Sequence, residues 1–205
     1  MWVGGGQFLY RQPYKTTFPT IHNMDFTELL STWNITMSQE EIFHRWSEPH
    51  RTYHSLSHLE DLVHQIDTHA ELSPKERDML TLAAIFHDII YDPRRGDNEA
   101  RSAALFLAHS PLDADTEEIA SIIRDTKTHE PSTPLSAIFS HMDMSVVRQP
   151  YEKLLEWEHG IKAEYCHLPG VVYCVARAYF LTKIIKKYPE NAEALGRLRK
   201  KVLFP

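Results

Sequence analysis

The sequence predicts an all-α protein, and three of its features carry that prediction. Apolar residues recur three and four residues apart through most of the chain after residue 23. Strand-like alternation of apolar and polar residues is nearly absent, and the segments between the periodic stretches are short. At 205 residues and 42% hydrophobic, the chain is long enough to bury one sizeable core. We therefore predict a single helical bundle over residues 24–205, preceded by a flexible leader over residues 1–23 that is rich in Gly, Pro and Thr.

Helix-start signals divide the first half of this domain into four predicted helices. In chain order, these signals are Asp25, Ser38–Glu41, the Ser57–Glu60 capping box and the segment Ser73-Pro74-Lys75-Glu76. The fourth helix is predicted to continue through the apolar stretch Leu82–Asp92, until Pro93 breaks it. Helices in the second half are predicted to begin near residues 97, 115, 134, 150, 170 and 190.

Composition and charge argue against several classes of protein. The net charge is −6 with both signs interspersed, which disfavours a nucleic-acid groove or an anionic membrane surface. No apolar run reaches 18 residues and the first residues lack a basic region, so neither a transmembrane helix nor a secretory signal is expected. Cys166 and Cys174 form no CxxC motif and are predicted to be reduced thiols, which suggests a cytoplasmic location. Thirteen histidines favour a metal site without locating it.

The stretch Leu82–Asp92 combines a strongly apolar character with an adjacent histidine and aspartate. His87 shares a helical stripe with apolar residues, and Asp88 lies about 100° further round, next to further apolar residues. Burying a carboxylate costs several kcal/mol unless a cation or strong donors meet it. A buried histidine beside a buried carboxylate therefore predicts a metal site, provided that other ligands exist.

Two more residues have the position that such ligands need. His58 lies four residues before Leu62, and Asp143 lies four residues after Phe139, so each is predicted to face inward. The predicted ligands are thus His58, His87, Asp88 and Asp143, delivered by three helices. Two imidazoles and two carboxylates suit Mn, Fe, Co, Ni or Zn, and suit Mg less well because Mg prefers oxygen.

The ordered set of motifs resembles the HD-domain superfamily of metal-dependent phosphohydrolases. This resemblance covers about residues 40–190, and it implies an HD-domain-like bundle, the four metal ligands above and hydrolysis of a small phosphate ester or nucleotide. The superfamily often forms dimers, so the resemblance also implies a homodimer. The segments that carry it are Tyr53–His58, Phe86–Asp92, Asp97–Glu99, Thr126–His129, Phe139–Ser145 and Ile161–Tyr165.

The segment Tyr53–His58, with its histidines His54 and His58, is also similar to the Tyr-His-Asn-x-x-x-His segment of the cyclic-nucleotide phosphodiesterases. Carried over by position, this similarity implies that His58 is a metal ligand and that His54 donates a proton to the leaving oxygen. The chain departs from that branch at Ser55, where asparagine would stand, and at Tyr91, where a histidine would serve a second metal. Both departures argue against cyclic-nucleotide specificity and against a full two-metal centre.

The expected chemistry is attack on phosphorus by a water whose pKa the metal ion lowers. Either His54 or His129 is expected to protonate the leaving group, since histidine titrates near neutral pH. Glu99 is expected to orient the water or a ligand histidine. The side chains predicted to bind the phosphate oxygens are the basic ones that flank the motifs, namely Arg51, Arg94, Arg95, Lys127 and Lys162.

Two other functions stay open at this point. The chain could be a non-catalytic HD module that binds metal or nucleotide for regulation. An enzyme is favoured because five site residues are all present, namely His54, His58, His87, Asp88 and Asp143. It could also be an HD-type oxygenase with a di-iron site, which would need further histidine ligands. Tyr91 in the second-metal position disfavours that function unless His129 or another histidine substitutes.

Overall fold

The computed structural model describes residues 24–204, so the leader predicted for residues 1–23 lies outside the described part of the chain. Within residues 24–204 there are ten α-helices, two short 3-10 helices and no β-strand, which confirms the all-α prediction. The α-helices are α1 (Thr27–Thr32), α2 (Gln39–Trp46), α3 (Leu56–Thr68), α4 (Pro74–Phe86), α5 (Asn98–His109), α6 (Ala114–Asp125), α7 (Pro134–Asp143), α8 (Tyr151–Glu164), α9 (Gly170–Lys187) and α10 (Ala192–Leu203), and the 3-10 helices are Met144–Arg148 and Pro189–Asn191. No helix in this range is both long enough and apolar enough to span a bilayer.

Two apolar clusters hold the helices together. The first is built on α4, whose residues Met79–Phe86 are all buried, and α3, α5, α6 and α7 pack around it. The second joins α8, α9 and α10 with the 3-10 helix Met144–Arg148. Each fully buried Leu, Ile, Met or Phe side chain contributes about 1.5–3 kcal/mol, so the apolar residues of α4 stabilise the centre of the first cluster. The boundary between the two clusters is where the polar side chains of the motifs gather.

Some predicted helix starts are confirmed and others are wrong. Ser73 and Glu76 form the predicted capping box of α4, and Ser38 caps α2 through the backbone N–H of Glu41. The Ser57–Glu60 capping box does not form, because α3 has already begun at Leu56. α6 begins at Ala114, in agreement with the start predicted near residue 115. A capping box of Asp113 and Thr116 starts this helix, since the Asp113 carboxylate accepts the Thr116 N–H at 2.9 Å.

The fourth helix ends at Phe86, six residues before the end predicted from the apolar stretch. The chain leaves the helix there because side chains from elsewhere satisfy the backbone of the next residues. Arg51 donates to the carbonyl oxygens of Asp88 at 2.9 Å and Ile89 at 3.3 Å, and the N–H of Ile90 donates to the Ser102 hydroxyl at 3.1 Å. His87 still donates its backbone N–H to Ala83 at 2.8 Å, but the backbone groups beyond it are held by Arg51 and Ser102, and the turn at residues 87–90 carries both His87 and Asp88.

Candidate metal centre

Three of the four predicted ligands come together in one cluster. His58 lies in the first turn of α3, His87 directly follows α4, and Asp143 is the last residue of α7. One ligand atom of each lies within 4.8 Å of the others. Asp143 Oδ1 is 3.2 Å from His58 Nε2 and 3.7 Å from His87 Nε2. A candidate metal-binding group of two imidazoles and one carboxylate is thus present, and we call it the trio.

His87 is oriented as a ligand histidine should be. Its Nδ1 lies 2.9 Å from the carbonyl oxygen of Ala84, and because a carbonyl only accepts hydrogen bonds, Nδ1 carries a proton. Its Nε2 is buried and makes no hydrogen bond to any residue within the described range 24–204. A backbone carbonyl that fixes one ring nitrogen while the other faces a cation is the usual arrangement around metal-binding histidines. The trio therefore fits a metal ion.

Asp88 lies beside the trio rather than within it. Its Oδ2 is 3.2 Å from His87 Nε2, without the alignment of a hydrogen bond, and 3.9 Å from His54 Nε2. Asp88 is only 13% exposed, so its charge acts on this cluster with little screening by water. Its role as a fourth ligand stays a prediction.

The neighbouring charges shift the pKa values of His87, Asp88 and Asp143 strongly. Burial is the largest single influence on His87 and would lower its pKa, but Asp88, Asp143 and the Ala84 carbonyl together outweigh burial and raise that pKa to about 9. Burial would raise the pKa of each carboxyl, yet the neighbouring imidazoles hold both far below the ordinary range. Both acids are therefore ionised at neutral pH. The negative charge that attracts a proton to His87 also favours a cation, which would take the place of that proton on Nε2.

Glu164 is a site residue that the sequence reasoning did not assign. Its Oε1 accepts the backbone N–H groups of Thr52, Tyr53 and His54 at 2.8, 2.7 and 2.9 Å. Its Oε2 accepts His54 Nδ1–H and the Tyr91 hydroxyl, both at 2.7 Å. Burial opposes ionisation, but these donors, with His54 foremost, lower the pKa of Glu164 to about 2. Glu164 thus fixes the loop before α3 and leaves His54 Nε2 facing Asp88.

A signal for Glu164 was available in the sequence. Trp157, Ile161 and Glu164 follow the i, i+4, i+7 spacing of one helix face, which places an acid on an apolar stripe. The same reasoning that selected Asp88 applies to it. Glu164 also lies within the segment Ile161–Tyr165, which carries part of the family resemblance.

His129 and Glu99 both lie at the cluster or the cavity in front of it. His129 Nε2 is 2.9 Å from Asp143 Oδ2, and its backbone has a φ of 54°, a left-handed value that residues other than glycine seldom adopt. Such backbone conformations persist where the surrounding structure enforces them, and they concentrate at functional sites. Glu99 lines the cavity, and its Oε2 is buried without a hydrogen-bond partner in the described part of the chain.

A cavity of about 410 Å³ opens over the cluster, and only some of the predicted phosphate-binding residues line it. Arg95 and Lys127 line this cavity, with Arg95 also paired to Asp97 at 2.7 Å. Arg94 instead lines a separate cavity, and Lys162 is an exposed residue that lines neither.

Arg51, a further predicted phosphate ligand, lies beneath the site. Its side chain is 0% exposed, and its guanidinium is used by Glu48 and by the carbonyls of His54, Asp88 and Ile89. Four of its five N–H groups donate within the fold, and Arg51 is not among the residues that line the cavity. Arg51 therefore shapes the turn that holds His87 and Asp88.

No protein-family model, curated protein or solved structure that was compared with the chain matches it. The geometry is consequently the basis for assigning this site. A helical bundle in which His58, His87 and Asp143 meet at metal-binding distance is compatible with an HD-type site.

Proposed function

We propose that this protein is a divalent-metal-dependent phosphohydrolase that acts on a small phosphate ester or nucleotide. The observation that supports the proposal most directly is the trio His58, His87 and Asp143, in which His87 Nε2 has no partner and His87 and Asp143 line the cavity of about 410 Å³. A cavity of this size suits a small molecule.

The trio would hold the metal ion, and Asp88 would join it as a fourth ligand or as a neighbouring charge. When bound, a divalent cation lowers the pKa of a water molecule and neutralises charge on a phosphoryl oxygen. An N/O donor set of this kind favours a transition metal over Mg. Tyr91 stands at the position where the phosphodiesterases have a histidine for a second metal, and its hydroxyl donates to Glu164. One ion per chain is therefore the expected stoichiometry.

The remaining polar side chains divide the work of binding and proton transfer. Lys127 and Arg95 line the cavity and would meet phosphate oxygens that do not face the metal. His54 would protonate the leaving oxygen from Nε2, because Glu164 holds its Nδ1–H, and because Asp88 and Glu164 together outweigh burial and raise the pKa of the ring. His129 would position the carboxylate of Asp143, which its Nε2 contacts at 2.9 Å.

The test combines metal analysis with turnover. Purified protein should contain about one divalent transition metal per chain, and His87→Ala and Asp143→Ala should each abolish that metal. His64→Ala is the matched control, since His64 is an exposed histidine of α3 and should leave the metal content unchanged. A panel of phosphate monoesters, nucleotides and cyclic nucleotides is then assayed with Mn, Co, Ni and Mg.

The outcomes separate the proposed enzyme from a regulatory binding module. Hydrolysis that needs the metal and disappears in both ligand variants supports the proposal. Metal and nucleotide binding without turnover of any ester would instead indicate the non-catalytic module. A wild-type protein that binds no metal under any of these conditions contradicts the proposed enzyme, and nucleotide binding by such a protein would still indicate the non-catalytic module.

A further inference from the structure

The part of the cavity contributed by α8 and α9 differs in character from the part around the trio. Its wall is largely aromatic and aliphatic, whereas the residues around the trio are charged. The apolar residues of this wall are Trp157, Ile161, Leu168, Tyr173 and Phe180. Phosphate oxygens gain nothing from such a surface, so the wall must face the organic part of a ligand.

One charged side chain, Arg177, is set into this apolar wall. Its guanidinium carbon lies 4.1 Å from the ring centroid of Trp157 and 4.9 Å from that of Phe180, so the planar group is held against two aromatic rings. Its Nε donates to Glu158 at 2.8 Å, and Glu158 also accepts the hydroxyl of Tyr173 at 2.7 Å. Arg177 is only 9% exposed and lines the cavity.

The terminal nitrogens of Arg177 are left without partners. Within residues 24–204 neither Nη1 nor Nη2 donates a hydrogen bond, and Nη2 is fully buried. Arg51 makes the contrast clear, since all three of its nitrogens donate to oxygen atoms of the fold. Nη1 is not fully buried, so it is the nitrogen that a molecule in the cavity can reach. Leaving donors unsatisfied is costly, which indicates that a bound molecule or ordered water accepts from Nη1.

We infer that Arg177 is a specificity-determining residue that binds a planar oxygen acceptor, such as a carboxylate or an amide carbonyl, on the organic part of the substrate. The inference rests on the proposed function, because the phosphoryl end of that substrate is assigned to the trio. The substrate class is then a phosphate monoester of a flat ring that carries an acceptor. The aromatic wall stacks on the ring, and the fixed plane of Arg177 presents N–H groups to the acceptor.

Non-hydrolysable phosphonates test this inference by equilibrium binding to the metal-loaded protein, measured by calorimetry. Phenylphosphonate lacks an acceptor, while (4-carboxyphenyl)phosphonate and (4-carbamoylphenyl)phosphonate carry a charged and a neutral acceptor. We expect the wild type to bind at least one acceptor-bearing ring about 10- to 100-fold more tightly than phenylphosphonate. A preference for both acceptors indicates recognition of their planar oxygen, and a preference for the carboxylate alone indicates recognition of charge as well.

Substitutions assign that preference to Arg177. Arg177→Met should bring the ratio of dissociation constants to about one, since the donors are gone while an apolar stem remains. Arg177→Met alone leaves the Glu158 carboxylate buried without its cation, which could unfold the protein. The double variant Glu158→Gln with Arg177→Met removes both charges and avoids that cost. Arg197→Met is the control, because Arg197 also stacks on an aromatic ring, Tyr151 at 4.0 Å, but lies outside the cavity.

The results distinguish failure of this inference from failure of the proposed function. Equal binding of all three phosphonates by the wild type overturns the inference, as does an acceptor preference that survives in the double variant. Hydrolysis of phenyl phosphate is followed separately. If phenyl phosphate is hydrolysed while the phosphonates bind equally, only the inference is wrong. If the preference depends on Arg177 and no ester is hydrolysed, only the proposed function is wrong.

Discussion

Glu164 offers the sharpest test of how the site is built, through the substitution Glu164→Gln. The glutamine keeps one carbonyl oxygen for the three backbone N–H groups that Glu164 Oε1 accepts. Its other terminal atom becomes an NH₂ group, which cannot accept from His54 Nδ1–H or from the Tyr91 hydroxyl. The variant therefore loses two charge-assisted hydrogen bonds in a place that is 0% exposed.

The lowered pKa of Glu164 gives the magnitude of the effect. Its value falls from an ordinary 4.5 to about 2, and at about 1.4 kcal/mol for each tenfold change this corresponds to about 3 kcal/mol of stability. Because the folded-state pKa is the lower one, the contribution is complete above pH 4.5 and disappears as the pH falls towards 2. Glu164→Gln should thus lower the free energy of unfolding at pH 7 by about 3 kcal/mol, and this deficit should shrink to about half or less at pH 3.

Urea denaturation followed by circular dichroism measures both quantities. The midpoint of the variant at pH 7 should fall by about 1 M or more. Glu156→Gln is the matched control on the same helix, because Glu156 is 66% exposed and pairs only with Lys153 at the surface, so its midpoint should not move. An unchanged midpoint for Glu164→Gln, or a deficit that stays constant between pH 7 and pH 3, would refute the role given to this carboxylate.

Three further predictions follow from the same geometry. Arg51→Met should lower the free energy of unfolding by about 3 kcal/mol or more, because three backbone carbonyls, one buried and two part-buried, lose their donor; a loss below 1 kcal/mol by urea denaturation would mean that water replaces the guanidinium. Gly160→Ala places a methyl group 3.0 Å from Tyr53 Cβ in the wall of the site, so thermal unfolding should show a cost of about 1–3 kcal/mol, and an unchanged melting temperature would argue against that close contact. His54→Gln should slow hydrolysis of alkyl phosphates by about 10²- to 10⁴-fold and hydrolysis of 4-nitrophenyl phosphate far less, since only the alkyl leaving group needs a proton; equal slowing of both would exclude His54 as the acid.

Local sequence signals predicted most of the fold. Helical spacing and caps such as the Ser73–Glu76 box determined which segments are helical, because those signals act within one or two turns. The same spacing marked His58, His87 and Asp143 as inward-facing, and the trio they form bears out that reasoning. The proposed roles of Asp88, His129 and Glu99 stay predictions, and so do the homodimer and the cytoplasmic location.

Contacts between distant residues decided the rest. The end of α4 at Phe86 depends on Arg51 and Ser102, which lie 37 and 12 residues away from the backbone groups that they bind, so no local rule could place it. Arg94 and Arg95 both flank the site motifs in sequence, yet only Arg95 lines the cavity at the trio, and Arg94 lines a separate one. Their position in sequence could not reveal this difference, because neighbouring side chains point in different directions. Sequence periodicity thus determined which side chains are buried, and the packing of α3, α4, α7 and α8 against one another determined which of those buried atoms meet.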